Sequence, residues 1–272
     1  MTPAPIVAEV PGSRNSAINL MVRNGLTGLP VVRSQDGNLV GIVSRKDIFR
    51  NFEEDQLSLI MRKKIITISS DNTVEDAADI FYKQRIHRLP VVEGSRLVGI
   101  VTPTDLLRVM KDTVTNLKAE DVIRSVCVTA YEDEPLSYTV AAMRISDVTA
   151  VPVLDARGRL VGILTDRDLF SDQMKDPETL KSLGIDIGDY AGYRNVLPLF
   201  YSVSEDYFDD RKVSEFMIRN PTTVFKKTNV AEVARIMLSR DFGQIPVRGT
   251  KDELIGMVYD VDVLCAIGNS NE

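Results

Sequence analysis

Leu89-Pro90-Val91-Val92, followed after a short turn by Gly99-Ile100-Val101-Thr102 and then by Asp105, is a phrase that the chain writes four times. The other copies are Leu29-Pro30-Val31-Val32 with Gly41-Ile42-Val43-Ser44 and Asp47, Val151-Pro152-Val153-Leu154 with Gly162-Ile163-Leu164-Thr165 and Asp168, and Ile245-Pro246-Val247 with Gly256-Met257-Val258-Tyr259 and Asp262. In every copy the aspartate stands six residues after the glycine. Recurrence at a fixed spacing is the signature of a repeat architecture. Pro30, Pro90 and Pro152 are spaced by 60 and 62 residues and Pro246 follows only after 94, which puts an insertion near residues 173–211.

Upstream of each proline the apolar residues recur at helical spacing: Ala17, Ile18 and Met21, then Ala77, Ala78 and Phe81, then Thr139, Val140 and Met143, then Val233, Ala234 and Met237. Thr73 with Asp76, and Asn229 with Glu232, supply capping signals at two of these helix starts. After each helix come two short β-branched runs separated by turn residues such as Gln35-Asp36-Gly37-Asn38, which read as adjacent strands. The aspartate then opens a further apolar-periodic stretch, as in Asp105-Leu106-Leu107-Arg108-Val109-Met110, and so belongs at a helix N-terminus. A strand is expected to lead into each unit, for instance Ile65-Ile66-Thr67-Ile68. The order is β-α-β-β-α in an α/β (α+β) class, and a unit of about 55 residues cannot bury both faces of its sheet alone, so copies must pair. The expected division is repeat 1 over 1–52, repeat 2 over 53–112, repeat 3 over 113–172, the insertion over 173–211 and repeat 4 over 212–272.

Composition sets outer limits. The 272 residues carry 33 basic against 39 acidic side chains, a net charge of −6, which argues against the phosphate backbone of a nucleic acid as main partner. Two cysteines, Cys127 and Cys265, match no zinc spacing and fit a reducing compartment, so a cytoplasmic protein is expected. No run approaches ~18 apolar residues, and Met1 to Gly12 has no basic region leading into an apolar core, so neither membrane insertion nor export is expected. With one histidine and no Walker loop or nucleophile motif, nothing assembles into an active site, and the expectation is a protein that is not an enzyme.

The order strand, helix, h-Pro-Val, then Gly-h-h-Ser/Thr-x-x-Asp and helix resembles the CBS domain family, and the fourfold recurrence carries that resemblance over almost the whole chain outside the insertion. The resemblance implies two Bateman modules in a pseudo-symmetric disc, similar to stand-alone archaeal and bacterial CBS proteins and, distantly, to the gamma subunit of the AMP-activated protein kinase. It also implies adenosyl ligands (AMP, ADP, ATP or S-adenosylmethionine) in clefts between paired repeats, with no cofactor required. The output would go to an unidentified regulated protein, with a homodimer as a further option. The competing reading is a scaffold subunit whose clefts have lost their ligands.

On that resemblance Asp47, Asp105, Asp168 and Asp262 occupy the ribose position, where one carboxylate accepts two vicinal hydroxyls. Ser44, Thr102 and Thr165 keep a hydroxyl three residues earlier, and Tyr259 replaces it in the fourth copy, which is therefore expected to be the weakest site. His87 and Arg88, just before Leu89-Pro90, resemble a phosphate-contacting pair and are expected to serve the second repeat, whereas the matching residues Thr27-Gly28, Thr149-Ala150 and Gly243-Gln244 are uncharged. Arg45, Lys46 and Arg167 can supply cations to the first and third sites, or can simply be solvated loop charges. The insertion holds Tyr190, Tyr193, Phe200, Tyr201, Tyr207 and Phe208, six of the chain's seventeen aromatics, and is expected to be an arm packed across its own module, with a partner-facing surface as the alternative.

Overall fold

The computed structural model describes residues 1–51, 54–124, 126–166, 168–169 and 211–268. Arg167 and almost all of the insertion, with the arm expected of it, lie outside the described residues.

Each repeat is a short leading strand, a helix and a hairpin. In repeat 1 these are β2 (Ala8–Val10), α1 (Arg14–Asn24), β3 (Gly28–Arg33) and β4 (Leu39–Ser44), followed by α2 (Arg45–Arg50). Repeat 2 has β5 (Ile68–Ser69), α4 (Val74–Gln84), β6 (Leu89–Glu93), β7 (Arg96–Val101) and α5 (Pro103–Met110). Repeat 3 has β8 (Ala130–Tyr131), α6 (Leu136–Ser146), β9 (Ala150–Leu154) and β10 (Leu160–Thr165). Repeat 4 has β12 (Val224–Phe225), α8 (Val230–Arg240), β13 (Gln244–Arg248), β14 (Leu254–Tyr259) and the short α9 (Asp260–Val263) and α10 (Cys265–Gly268). The leading strand runs parallel to the first hairpin strand and the hairpin is antiparallel, in all four copies.

Thr73 caps α4 in a reciprocal box with Asp76, as the sequence predicts. Asn229 caps α8 through the Ala231 N–H, but Glu232 turns to Arg235 at 2.8 Å and the box stays open. The strand expected over 65–68 forms only at Ile68–Ser69, and Ile65 and Ile66 ahead of it line a cleft.

Repeats pair through their sheets by exchanging the segments that lead into them. Strand β1 (Thr2–Pro3), ahead of repeat 1, adds to β7 of repeat 2 with Thr2 opposite Ile100. Reciprocally, Arg62, after the short helix α3 (Leu57–Ile60) that precedes repeat 2, bridges Ile42 of β4. The second half repeats the plan: β11 (Ile218–Arg219), after α7 (Val213–Phe216), adds to β10 of repeat 3, and Ile123, after a single 3-10 turn at Ala119–Val122, reaches β14 of repeat 4.

This exchange explains the repeated glycine. Met61 packs on Gly41, Met1 on Gly99, Met217 on Gly162 and Ile123 on Gly256, each in the space that a side chain would need. Gly256 is doubly committed, since φ is +155° and a Cβ would stand 2.8 Å from Ile123 Cγ2. Gly256→Ala is therefore expected to cost about 2 kcal/mol through backbone strain and overpacking. A urea-melt midpoint equal to the parent's would contradict this.

The two sheet-paired halves meet through their helices, repeat 2 against repeat 4 and repeat 1 against repeat 3. Between repeats 2 and 4, α5 packs on α8 and α4 on α10, and their apolar faces merge into one core that includes Phe81, Leu107, Met110, Met237 and Ile267. Among the described residues, repeats 1 and 3 have separate cores and are tied by ion pairs. No helix among the described residues is long and apolar enough to cross a membrane.

Candidate functional site

All four aspartates stand at the third position of a final helix or turn, and the local reason is the same. Oδ2 of each accepts the backbone N–H of the strand-end residue: Ser44 to Asp47 at 2.9 Å, Thr102 to Asp105 at 3.0 Å, Thr165 to Asp168 at 2.8 Å and Tyr259 to Asp262 at 3.2 Å. The hydroxyls of Ser44, Thr102 and Thr165 donate to the same oxygen at 2.5, 3.0 and 2.6 Å. The carboxylates are thus helix caps, and capping uses only one of their two oxygens.

The second oxygen separates the copies. In Asp47, Oδ1 accepts from Arg62 Nε at 2.7 Å, an arginine more than half exposed. Among the described residues Asp105 Oδ1 has only Arg108, at 3.5 Å. Asp262 has no exposed surface, and its Oδ1 is held at 2.6 Å by Arg85, which comes across from repeat 2 and also stands 5.6 Å from the Tyr259 ring. The sequence locates the obstacle of the fourth copy in Tyr259; the Arg85 pair is a second one, and it engages the anchor itself.

Two clefts open on the repeat 1–2 half. One, of about 890 Å³, is lined by Ser44, Arg45, Lys46 and Asp47 of repeat 1, by Arg62, Lys64, Ile65 and Ile66 of the segment leading into repeat 2, by Arg85 to Arg88, and from the other half by Asp147, Tyr259 and Asp260. The other, of about 530 Å³, is lined by Thr102, Pro103 and Thr104 of repeat 2, by Thr2, Ala4, Pro5 and Ile6 of the segment leading into repeat 1, and by Phe242 and Asp260. Each therefore combines the strand-end hydroxyl of one repeat with the lead-in segment of its partner, which is why the exchanged segments matter to the site. Asp105 itself does not contribute to that second wall.

Arg45, His87, Arg88 and Asp260 belong to both clefts. The sequence assigns His87 and Arg88 to the second repeat alone; the fold puts them in the partition between the two. Arg88 crosses to repeat 1, where its guanidinium packs against Gly28 and bonds the Thr27 hydroxyl. Among the described residues no carboxylate lies within ion-pair distance of it, and burial, followed by Arg45 and Arg62 against the opposing pull of Asp47, pushes it down to about 10, still charged at neutral pH. Desolvation of the ring against the cleft wall, then the charges of Arg88, Lys46 and Arg85, push His87 below its ordinary value even though more than half of its side chain is exposed, so its imidazole is neutral at pH 7.

Arg45 and Lys46 are not merely solvated loop charges. Arg45 Nη2 bonds Asp166 at 2.5 Å, and Lys46 Nζ bonds Asp147 at 2.8 Å, so both tie repeat 1 to repeat 3 while lining the larger cleft. Arg62, Lys64 and Arg85 are the cationic residues of that wall, and Asp147 and Asp260 the acidic ones, that the sequence reading leaves out. Arg62 had a signal, since Met61-Arg62, Ile123-Arg124 and Met217-Ile218-Arg219 recur ahead of three repeats. In total the larger cleft gathers Arg45, Lys46, Arg62, Lys64, Arg85 and Arg88 against Asp47, Asp147 and Asp260, a basic hollow in a chain of net charge −6. Among the described residues no group of three or more metal-ligating side chains assembles.

A family model described as "CBS domain" matches residues 1–54, 57–112, 119–175 and 213–269. An uncharacterised conserved protein from Pyrococcus horikoshii superposes with a TM-score of 0.70 at 24% identity, covering 98% of this chain and 97% of that one. Protein MJ1225 from Methanocaldococcus jannaschii, described as a proposed archaeal homologue of γ-AMPK, superposes with a TM-score of 0.73 at 21% identity over 98% and 97% of the two chains. In sequence MJ1225 is 25% identical over 173 residues, which are 57% of this chain and 61% of that protein. The L-aspartate semialdehyde sulfurtransferase of the same organism is 34% identical over 111 residues, 40% of this chain and 21% of the enzyme. The chain thus spans about three fifths or less of the length of these curated relatives.

Proposed function

We propose, from the premise that the chain belongs to the CBS domain family, that it is a regulatory ligand sensor that binds phosphorylated adenosine compounds in the clefts of its repeat 1–2 half and passes the binding state to a partner protein. Arg88 carries this reading: a partly buried guanidinium with no carboxylate partner among the described residues, set in the partition of two clefts. An unpaired cation removed from bulk water is costly unless an anion arrives to complete it, and a phosphoryl group is the anion that fits a planar fork of donors. Ser44 and Asp47 lie on the same wall, where the carboxylate retains acceptor capacity for ribose hydroxyls beside its bonds to Ser44 and Arg62. Ile65 and Ile66 supply an apolar surface for a base.

The excess of cations favours AMP, ADP or ATP over S-adenosylmethionine, whose sulfonium they would repel. The fourth copy is read as closed, and repeat 3 keeps the Thr165–Asp168 pairing of a competent site. No catalytic role is assigned, since the partition holds no nucleophile beside a base, and the enzymes among the relatives share with this chain only a minor part of their length. A sensor of this kind acts by association, so the output is a change in the surface that it presents to a regulated protein.

Titration calorimetry with AMP, ADP, ATP, S-adenosylmethionine and GTP tests the reading. The adenosine phosphates are expected to bind below the millimolar range and to weaken as salt is raised, with S-adenosylmethionine and GTP binding less tightly. Failure of every adenosyl compound to bind would refute it and leave a scaffold with empty clefts.

A further inference from the structure

Asp260 opens α9, and its side chain belongs to the partition shared by the two clefts. The same place, one residue past the end of the hairpin, holds Arg45, Pro103 and Asp166 in the other repeats. Where repeats 1 and 3 face each other, the two residues answer one another, Arg45 neutralising Asp166 at 2.5 Å. Where repeats 2 and 4 face each other, the counterpart is Pro103, which lines the same cleft as Asp260 and offers no charge.

Asp260 is only 9% exposed. Its Oδ1 accepts the Val261 N–H at 2.7 Å and stands 3.8 Å from His87 Nε2. Among the described residues no lysine or arginine reaches it. The groups facing it are these: from its own helix Asp262, which repels its charge, and from the end of α4 Arg85, which attracts it but is bonded to Asp262; from the loop before β6 His87, neutral at pH 7 and above; and around the two clefts Arg45, Lys46, Arg62, Lys64 and Arg88 with Asp47, Asp147 and Asp241. Burial first, then Asp262, against the Val261 N–H and Arg85, push the Asp260 carboxyl up to about 7. It is thus half protonated near neutrality.

We propose that Asp260 makes phosphate recognition in this partition proton-linked: a phosphoryl group is accepted with Asp260 in its acid form, which donates a hydrogen bond to a phosphoryl oxygen, so that one proton is taken up from solution with each phosphorylated ligand. As a carboxylate the same side chain repels the incoming dianion. Asp260 is then a specificity-determining residue, setting how strongly the clefts favour adenosine phosphates over uncharged adenosine at a given pH. The inference rests on the reading of the clefts as adenosine-phosphate sites.

The sign follows from linkage. The bound state holds the proton more tightly than the free state, so the Kd for AMP rises with pH from about neutrality upward, toward tenfold per pH unit. The phosphate's own second ionisation, near pH 6, acts in the opposite direction and is complete below this window. Calorimetry of AMP and adenosine between pH 7 and 8.5, in two buffers of different ionisation enthalpy, reads the effect on the parent protein without any variant. Expected are uptake of up to one proton per AMP, a Kd for AMP that climbs about tenfold or more across the window, and a flat Kd for adenosine. Asp260→Asn, which keeps the shape and an N–H donor, should bind AMP with little pH dependence and at least tenfold more tightly than the parent at pH 8.5. Measurable AMP binding with no proton uptake and a flat Kd in the parent would overturn this inference alone. No AMP binding even at pH 6.5, where the partition is least negative, would overturn the inference together with the functional reading beneath it.

Discussion

Arg85→Ala is expected to lower the unfolding free energy by about 3 kcal/mol, the largest stability effect among the single changes considered for this fold. Asp262 has no exposed surface and Arg85 is its ion-pair partner at 2.6 Å, so removing the guanidinium leaves a carboxylate inside the shared core of repeats 2 and 4 with only the Tyr259 N–H to accept from. The figure sits at the lower end of what a broken buried pair costs because Arg85 is itself about one-third exposed and water can enter where it leaves. Asp262→Asn added to Arg85→Ala should recover part of the loss, a coupling of at least about 1 kcal/mol in a double-mutant cycle. Urea unfolding of the four proteins measures it. Additive effects, or an Arg85→Ala midpoint within error of the parent's, would show that the pair contributes nothing net.

Arg88→Ala should do the reverse: leave stability almost untouched and reduce AMP affinity by about 10- to 100-fold, the equivalent of one or two charge-assisted hydrogen bonds to phosphate. Arg88 has no carboxylate to abandon, and its neighbours Arg45 and Arg62 repel it, so the free protein loses little on truncation. Adenosine binding should stay within about twofold of the parent, since the lost bonds go to phosphate. Because the residue stands in the partition of both clefts, every AMP site of the repeat 1–2 half should weaken together. Equal losses for AMP and adenosine would make Arg88 a packing residue for the start of β3 at Gly28 and nothing more.

Local grammar was the legible part. Four copies of one phrase disclose the hairpins, the helix ahead of them and the capping aspartate, because each is dictated within about ten residues by turn chemistry, periodicity and a cap. What faces what was not legible. That repeats 2 and 4 merge their cores while repeats 1 and 3 are held by Arg45–Asp166 and Lys46–Asp147 depends on contacts between residues more than a hundred positions apart, and neither partner alone announces the other. The same holds within the clefts. His87 and Arg88 stand out by charge, yet their position between two clefts follows from the folding of repeat 1 against repeat 2. Asp260 is inconspicuous next to Tyr259, although comparison with Arg45, Pro103 and Asp166 marks it as the odd residue at its place. Met61, Met217 and Ile123 had a readable sign, an apolar residue closing the short apolar runs Leu57-Ile60, Val213-Phe216 and Ala119-Val122, but their meaning required knowing which glycine each one covers.

A hairpin whose outer strand has nobody beside it is an invitation to stick: its row of free N–H and C=O groups will accept any extended chain, including another copy of the same protein. Among the described residues, the exchanged lead-in segments close that door with hydrogen bonds in three of the repeats and with a side chain in the fourth. β1 lies along β7, β11 along β10, Arg62 trades two backbone bonds of 2.9 and 3.0 Å with Ile42 on β4, and Ile123 sits over Gly256 on β14. Because each cover is lent by the partner repeat, neither member of a pair can be cut away without baring the other. A fragment ending at residue 52 would present β4 without Arg62, and its expected fate is aggregation or pairing with its own kind. The least divisible piece of this molecule is therefore a pair of repeats with both lead-in segments attached.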